Sequence, residues 1–288
     1  MITIENKNFS VKIALQGAEL RSFKKKATGR EMMWQADPSI WGGSAPILFP
    51  VVGALCNGKT KINGQEYEIP KHGLVRHREA ELIEQHKDRV VFAFRSNANS
   101  LKQYPYPFLL EVEFRLGTDQ LAVSYRVKNP GAGEMLFSIG SHPAFALDLN
   151  THTIDDYYLE FEEPETLALQ GLEGGLFTPK RNEYMVNETR IPLTQHLFDD
   201  DALIFTHIRS RCIRLKSTHE SEFLEIDLGG APHLGLWAKP GAAYVCIEPW
   251  YSHDDAADSD GVFENKPGII RLPANQRFET GYTIRVEG

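Results

Sequence analysis

The feature that most constrains the fold of this chain is a two-residue alternation of apolar and polar side chains. Residues 9–15 and 121–127 place an apolar side chain at every second position, and residues 109–116 keep most of theirs on one face. Successive side chains of a β-strand point to opposite faces of a sheet, so this period predicts strands with one buried face. A helical segment is predicted only at 194–198. The pattern therefore predicts an all-β chain with very little helix.

Turn signals divide the chain into many short strands. Asn63-Gly64 lies between two strand-like runs, and both residues tolerate the positive φ that a two-residue hairpin turn requires. Further hairpin turns are predicted at 86–88 and 117–119, with another turn near 254–258. No internal repeat and no low-complexity linker interrupts the 288 residues. We predict one large antiparallel β-sandwich that forms a single domain over residues 1–288.

Charge and cysteine content exclude several classes of partner and location. A net charge of −8 and a pI near 5.7 disfavour nucleic acids and membranes, because phosphates are repelled over most of the surface. Cys56, Cys212 and Cys246 are too few and too widely spaced for a disulfide framework or a paired-cysteine metal site. The N-terminus lacks the apolar core of a signal peptide, and the longest apolar stretch, residues 45–55, is too short to span a bilayer. We expect a soluble, cytoplasmic protein.

Three side chains that can transfer protons stand at or beside strand-like runs. His142 and Glu248 each follow an apolar stretch and precede a proline, and His72 lies in a similar setting after Pro70. Proline restricts the preceding residue to extended conformations, which places His142 and Glu248 on stiff backbone at the rim of a sheet. A carboxylate and an imidazole are suited to general base and acid catalysis. Taken singly, each is more often a solvated carboxylate or a hydrogen-bonded core histidine.

Five segments carry a resemblance to a known family. In chain order they are APILFP at 45–50, NG at 63–64 before PKHG at 70–73, SHPAF at 141–145, LWAKP at 236–240 and CIEPW at 246–250. Each motif alone is weakly specific, but their order and separations cover nearly the whole chain. Together they resemble the aldose 1-epimerase (galactose mutarotase-like) family, and within it the LacX-like branch.

The resemblance implies a fold and a reaction. The family folds as a β-supersandwich and holds a sugar in an open cleft on one sheet. The implied activity is that of an aldose 1-epimerase, or mutarotase, which interconverts the α and β anomers of a free hexose without cofactor or metal. By resemblance, Glu248 matches the general base, His142 matches the general acid, and His72 matches a histidine that bonds the sugar near its ring oxygen. The implied partner is a small-molecule sugar, and the chain is expected to be a monomer or a homodimer.

Three further residues are candidate sugar contacts. Trp237 offers an apolar face to C–H groups and an N–H to a hydroxyl, although most strand tryptophans belong to the core. Asp201 matches an acidic residue that binds sugar hydroxyls, but it ends a run of three aspartates that is equally typical of a solvated turn. Relatives carry an arginine after Gly53, where this chain has Ala54. Arg76 is a candidate substitute for that cation.

Other functions stay open from the sequence. A hexose-phosphate mutarotase would use the basic cluster formed by Arg76, His77 and Arg78. A carbohydrate-binding or regulatory protein without turnover would keep the cleft, but it would not require a matched acid and base. A metal-dependent cupin-type enzyme is disfavoured, since the histidines lack a closely spaced His-x-His arrangement with a glutamate. A glycosidase would pair Glu248 with Asp254 or Asp255.

Overall fold

The computed structural model describes residues 1–288, and its strands follow the predicted alternation. The strand Gln120–Lys128 buries every second side chain, from Leu121 to Val127. The strand Phe9–Ile13 buries three of its five residues in the same rhythm. The apolar face of each strand is removed from water, and the polar face remains at the surface. The all-β prediction is confirmed.

Twenty-two strands account for the regular structure, with a single one-turn α-helix. The strands are β1 Ile2–Glu5, β2 Phe9–Ile13, β3 Leu20–Lys25, β4 Ile47–Leu48, β5 Lys59–Ile62, β6 Gln65–Glu68, β7 Glu81–Gln85, β8 Arg89–Arg95, β9 Leu109–Leu116, β10 Gln120–Lys128, β11 Met135–Phe137, β12 Gly140–Ser141, β13 Ala144–Ala146, β14 Tyr157–Glu173, β15 Leu176–Pro192, β16 Leu203–Thr206, β17 Cys212–Ser217, β18 Phe223–Asp227, β19 His233–Trp237, β20 Tyr244–Trp250, β21 Ile270–Leu272 and β22 Arg277–Glu287. The helix α1 is Ser100–Gln103, and short 3₁₀ turns cover Cys56–Gly58, Val75–His77, Ile154–Asp156 and Phe263–Asn265.

Two large antiparallel sheets organise the molecule. One has nine strands in the order β15-β14-β17-β18-β22-β10-β9-β8-β7. The other has six strands, with β16-β19-β20-β12-β4 in order and β13 also paired to β20. A three-stranded sheet, β1-β2-β3, and two short ribbons, β11-β21 and β5-β6, complete the fold. The six-stranded sheet matters most for function, because β20 lies at its centre.

One apolar cluster of 66 buried residues extends from Ile4 near the N-terminus to Ile284 in the last strand. It includes closely packed aromatic rings such as Phe49 and Phe108, whose centroids are 5.0 Å apart in an edge-to-face arrangement. Strands from both large sheets contribute to it. No helix of the molecule is long and apolar enough to cross a membrane.

The predicted hairpin turns are present. Asn63 and Gly64 adopt φ values of 51° and 78° between β5 and β6, as the two-residue turn requires. The turns at 86–88 and 117–119 join β7 to β8 and β9 to β10. Residues 254–258 also include a turn.

Two local predictions were wrong. Residues 194–198 form consecutive turns rather than a helix, because their backbone N–H groups bond three residues back, as in Leu197 to Thr194. Glu248 does not end its strand, since β20 continues through Pro249 to Trp250. Pro249 is opposite Leu234 of β19 in the sheet register. Glu248 is therefore held inside a central strand rather than at the rim.

Candidate active site

A cleft of about 200 Å³ opens beside β20 and β19 of the six-stranded sheet. All six residues that the sequence nominated contribute to its wall, together with eight other residues. The lining residues are Trp41, Lys71, His72, Arg76, His142, Leu172, Gly175, Asp201, Ala202, Ile204, Trp237, Glu248, Trp250 and Asp254.

Strand alternation directs Glu248 into this cleft. Cys246, Glu248 and Trp250 occupy every second position of β20 and therefore share one face, while Val245 and Ile247 point into the opposite, apolar side. The carboxyl side chain is only 2% exposed. A carboxyl group in this position has lost most of its contact with water.

His142 is held in the short connection between β12 and β13. Its backbone N–H donates to the carbonyl of Pro46 at 3.1 Å, which ties the connection to the segment before β4. The ring of Trp41 lies nearly parallel to the imidazole, with centroids 5.0 Å apart, and Trp237 meets it edge-on at 5.8 Å. These aromatic contacts fix the plane of the imidazole and shield it from solvent.

The imidazole and the carboxyl group face each other across a short gap. His142 Nε2 lies 3.4 Å from Glu248 Oε2. Glu248 Oε2 and His142 Nδ1 are buried and have no hydrogen-bond partner within the protein. Buried polar atoms are nearly always paired, so unpaired atoms in a cleft indicate groups that are reserved for a ligand.

Burial shifts the proton affinities of the two groups in opposite directions. Desolvation raises the pKa of Glu248 well above its ordinary value, and the positive charge of Lys71 opposes this only in part. Desolvation, helped by the nearby Arg76 charge, lowers the pKa of His142 to about 3. Both shifts favour the uncharged forms. The environment therefore favours a proton on the carboxyl group over a proton on the imidazole.

His72 is oriented by a reciprocal contact with Gly53. The Gly53 N–H donates to His72 Nδ1 at 3.2 Å, and the His72 N–H donates to the Gly53 carbonyl at 3.0 Å. Burial lowers the pKa of His72 well below its ordinary value, so the ring is neutral. Because Nδ1 accepts, the proton of the neutral ring is on Nε2. His72 is therefore a hydrogen-bond donor.

Two cations face the cleft without partners. Arg76, in the 3₁₀ turn after His72, makes no ion pair or side-chain hydrogen bond within the protein, and neither does Lys71. The other two residues of the predicted basic cluster, His77 and Arg78, line a separate cavity. The cluster is therefore divided, and Arg76 alone of the three reaches the cleft.

Asp201 and Trp237 are the last two of the six candidate residues named from the sequence. Asp201 stands exposed before β16, where one carboxylate oxygen accepts from the Ala202 N–H at 2.8 Å. Trp237 ends β19, and its indole N–H has no partner within the protein. The neighbouring Asp199 is instead paired with His196 outside the cleft. The structure brings the six nominated residues together, and their individual roles stay predictions.

Asp254 is a site residue whose binding role the sequence analysis missed. Its carboxylate accepts from the Ala54 N–H at 2.7 Å while lining the cleft, and burial raises its pKa. Gly53 permits this approach, because a Cβ at that position would lie 2.5 Å from the Asp254 backbone nitrogen. Asp255 points elsewhere and binds Lys266 at 2.7 Å. Ala54 itself does not line the cleft.

Trp41 and Lys71 were also missed. Lys71 directly precedes His72 in the matched motif, so its position was a usable signal. Trp41 lies in a long loop between β3 and β4, and nothing local in its sequence indicates that it covers His142.

Three potential metal ligands lie in or beside the cleft. Donor atoms of His142, Glu248 and the buried Cys246, which does not line the cleft, lie within 4.8 Å of one another. Metal ions require deprotonated thiol and carboxyl ligands. Burial raises the pKa of both Cys246 and Glu248, so their surroundings favour the neutral forms. This environment suits proton transfer better than metal binding.

Comparison with known proteins places the whole chain among sugar epimerases. Residues 1–260 match the family model for aldose 1-epimerase. The plasmid-encoded protein LacX of Lactococcus lactis subsp. lactis is 31% identical over 296 aligned residues, covering 99% of each chain. A galactose mutarotase related enzyme from Lactobacillus acidophilus superimposes with a TM-score of 0.95 at 31% identity, covering 100% of this chain and 97% of its own. A galactose mutarotase-like protein from Lactobacillus casei gives 0.92 at 29% identity, covering 100% of each chain.

Proposed function

This chain belongs to the aldose 1-epimerase family, and we propose that it is a mutarotase that interconverts the α and β anomers of a free hexose. The observation that carries the proposal is the buried pair of His142 and Glu248. Their facing atoms are 3.4 Å apart, and the pair has unpaired polar atoms in the wall of the cleft. A binding protein does not require a matched acid and base in this arrangement.

Mutarotation needs two proton transfers and no redox step. One group removes the proton from the C1 hydroxyl, the bond between C1 and the ring oxygen breaks, and the other group protonates the ring oxygen. After rotation about the C1–C2 bond, the same steps run in reverse on the opposite face of the aldehyde. We assign the base role at ring opening to Glu248 and the acid role to His142. A proton passed from Glu248 to His142 gives the required carboxylate and imidazolium. Each group is expected to contribute about 10²–10⁴-fold.

The remaining cleft residues are suited to holding a sugar ring. Trp41 and Trp237 present aromatic surface to C–H groups, and His72 donates from Nε2 toward the ring oxygen. Arg76 and Lys71 provide charged donors to hydroxyls. Acidic acceptors, Asp201 and Asp254, are present beside them.

The charge balance favours a neutral sugar over a phosphorylated one. Lys71 and Arg76 bring two positive charges to the cleft, but Asp201 and Asp254 also line it. A phosphate group prefers several convergent cations without adjacent carboxylates.

The reaction itself needs no metal or cofactor, since every step is a proton transfer or a bond rotation.

The test is polarimetry of freshly dissolved α-anomers with the purified protein. We expect accelerated approach to equilibrium for one or more of glucose, galactose and related free hexoses, with a smaller effect on their 6-phosphates. Prior dialysis against a chelator should leave the rate unchanged. Acceleration limited to the phosphates would overturn the substrate assignment. No acceleration with any sugar, despite binding seen by calorimetry, would show a carbohydrate-binding protein without turnover.

A further inference from the structure

A second group of proton-binding side chains lies outside the cleft, at one end of the pair β14–β17. His152 and Asp156 belong to the connection between β13 and β14, and His219 follows β17. Donor atoms of these three residues lie within 4.8 Å of one another. Glu220, the next residue, places a carboxylate oxygen 3.5 Å from His152 Nε2. None of the four lines the cleft.

Asp156 is held through one carboxylate oxygen, and its other oxygen faces His219. Its Oδ2 accepts from the Thr153 backbone N–H at 2.8 Å and from the Thr153 hydroxyl at 2.9 Å. Its Oδ1 lies 3.0 Å from His219 Nε2. Contacts of this type orient a carboxylate before a metal arrives, as the outer partners of metal ligands do.

Glu220 is anchored in the same way. The guanidinium Nη1 of Arg30 lies 2.8 Å from Glu220 Oε2. The other oxygen, Oε1, lies 3.5 Å from His152 Nε2. Each carboxylate is thus fixed through one oxygen and directs the other toward a histidine.

The donor atoms of His152, Asp156 and His219 are close enough to share an ion. Zinc bonds to nitrogen and oxygen are about 2.0–2.2 Å, so neighbouring ligand atoms in a tetrahedral site are about 3.3 Å apart. The separation of 3.0 Å between Asp156 Oδ1 and His219 Nε2 is near that value, and all three donors lie within 4.8 Å of one another. The imidazole rings of His152 and His219 are neighbours, with centroids 5.2 Å apart. The His219 side chain is 56% exposed, which leaves a route for an ion from solvent.

We propose that His152, Asp156 and His219 bind one zinc ion, with Glu220 held against His152 at the edge of the site. Two imidazole nitrogens and one carboxylate oxygen are donors that zinc accepts, and water can complete its coordination. The ion would join the connection before β14 to the turn between β17 and β18, where Tyr157 pairs with Ser217. Its role is structural, since the site is separate from the cleft and takes no part in the proton transfers.

The experiment is a calorimetric titration of the metal-stripped full-length protein with ZnCl₂ at pH 7.5, together with thermal unfolding with and without zinc. We expect one equivalent to bind and the melting temperature to rise. His152→Gln and His219→Gln should each weaken binding by at least about 10-fold, because each removes a direct ligand. His196→Gln is the matched control: His196 lies 2.8 Å from Asp199 but has no second histidine partner, so zinc binding should not change.

Circular dichroism of each variant would establish that it is folded before its affinity is compared. Absence of zinc binding in the wild-type protein would overturn the proposal. So would a His152→Gln/His219→Gln double variant that binds one equivalent with unchanged affinity, since the ion would then occupy another site, such as His142 with Cys246.

Discussion

Desolvation shifts the pKa values of Glu248 and His142 in opposite directions. Burial raises the pKa of the carboxyl group and lowers the pKa of the imidazole to about 3. Between these two values the pair carries one proton, which is the state that the proposed ring opening requires. Below the lower value both groups are protonated, and above the upper value neither is. The two groups titrate together, so each apparent pKa value is a property of the pair and not of one residue.

We therefore predict that kcat/KM is constant between the two pKa values of the pair. At alkaline pH, kcat/KM should fall as Glu248 loses its proton, and this fall is called the alkaline limb below. The charge of Lys71 lowers the pKa of Glu248, so its removal should raise that pKa. Lys71→Met should therefore move the alkaline limb to higher pH. Lys102→Met is the control: Lys102 lies in α1 away from the cleft, so this substitution should not shift the alkaline limb. A limb that stays fixed or moves downward in Lys71→Met would contradict the assignment.

Arg76 is predicted to replace the arginine that relatives carry at position 54. Its unpaired guanidinium faces the cleft, so Arg76→Gln should raise KM for glucose or galactose by roughly 10-fold or more, since a charge-assisted hydrogen bond contributes about 1.5–3 kcal/mol. Arg78→Gln is the control, because Arg78 lines another cavity. Adding Ala54→Arg to Arg76→Gln should recover part of the affinity. A KM unchanged by Arg76→Gln would show that this cation does not bind the sugar.

Residues that were nominated from sequence motifs lie together in the structure, and their roles stay predictions. His72, His142 and Glu248 lie within matched motifs, and the structure places all three in one cleft. Trp41 and Asp254 reach the same cleft only through long-range packing. Their positions depend on contacts between segments that are distant along the chain, which local patterns do not encode.

At the scale of elements, β9 carries an ionic cluster that stabilises the nine-stranded sheet. Glu113 contacts Arg89 at 3.0 Å, Arg115 at 2.8 Å and Arg126 at 2.9 Å, which joins three adjacent strands. The hydrogen bond from Arg89 is the largest factor that lowers the pKa of Glu113, from 4.5 to about 2. A lowered pKa stabilises the fold fully above pH 4.5, and the contribution is lost as the pH falls toward 2.

We predict that Glu113→Gln lowers the free energy of unfolding at pH 7 by on the order of 1–3 kcal/mol, because the substitution removes the only carboxylate that pairs with Arg115 and one of those that pair with Arg89 and Arg126. Urea denaturation at pH 7 and at pH 3 measures this, and the difference from wild type should shrink at pH 3. Glu81→Gln, in an exposed ion pair, should have little effect. If Glu113→Gln lowered the free energy of unfolding as much at pH 3 as at pH 7, the effect would not be electrostatic.

The short hairpins could be predicted from sequence, but the longest one could not. The Asn63-Gly64 turn follows from backbone preferences of two residues. The hairpin β14–β15, with 17 residues in each strand, contains several register shifts that break the alternation. Its tip reaches the cleft because the Phe177 N–H donates to Asp255, across the molecule. Such pairing is set by tertiary contacts.

At the scale of the whole molecule, we propose that residues 1–288 fold as one cooperative unit. The apolar cluster reaches from Ile4 to Ile284 and draws on both large sheets. Circular dichroism reports the strands, and tryptophan fluorescence reports Trp41, Trp237 and Trp250 around the cleft. The two signals should give coincident urea transitions with one midpoint. Separate midpoints would show that the cleft and the sheets unfold as different units.

The central claim is that His142 and Glu248 carry the proton transfers, and anomer exchange measured by NMR with saturating hexose tests it most directly. Glu248→Gln keeps the size of the side chain and His142→Asn keeps a neutral hydrogen-bonding group, while each removes the proton chemistry, so each should lower kcat by at least about 10²-fold with an unchanged fold. His77→Asn, in the neighbouring cavity, should retain the wild-type rate. A folded Glu248→Gln or His142→Asn protein that keeps most of the wild-type rate would contradict the account.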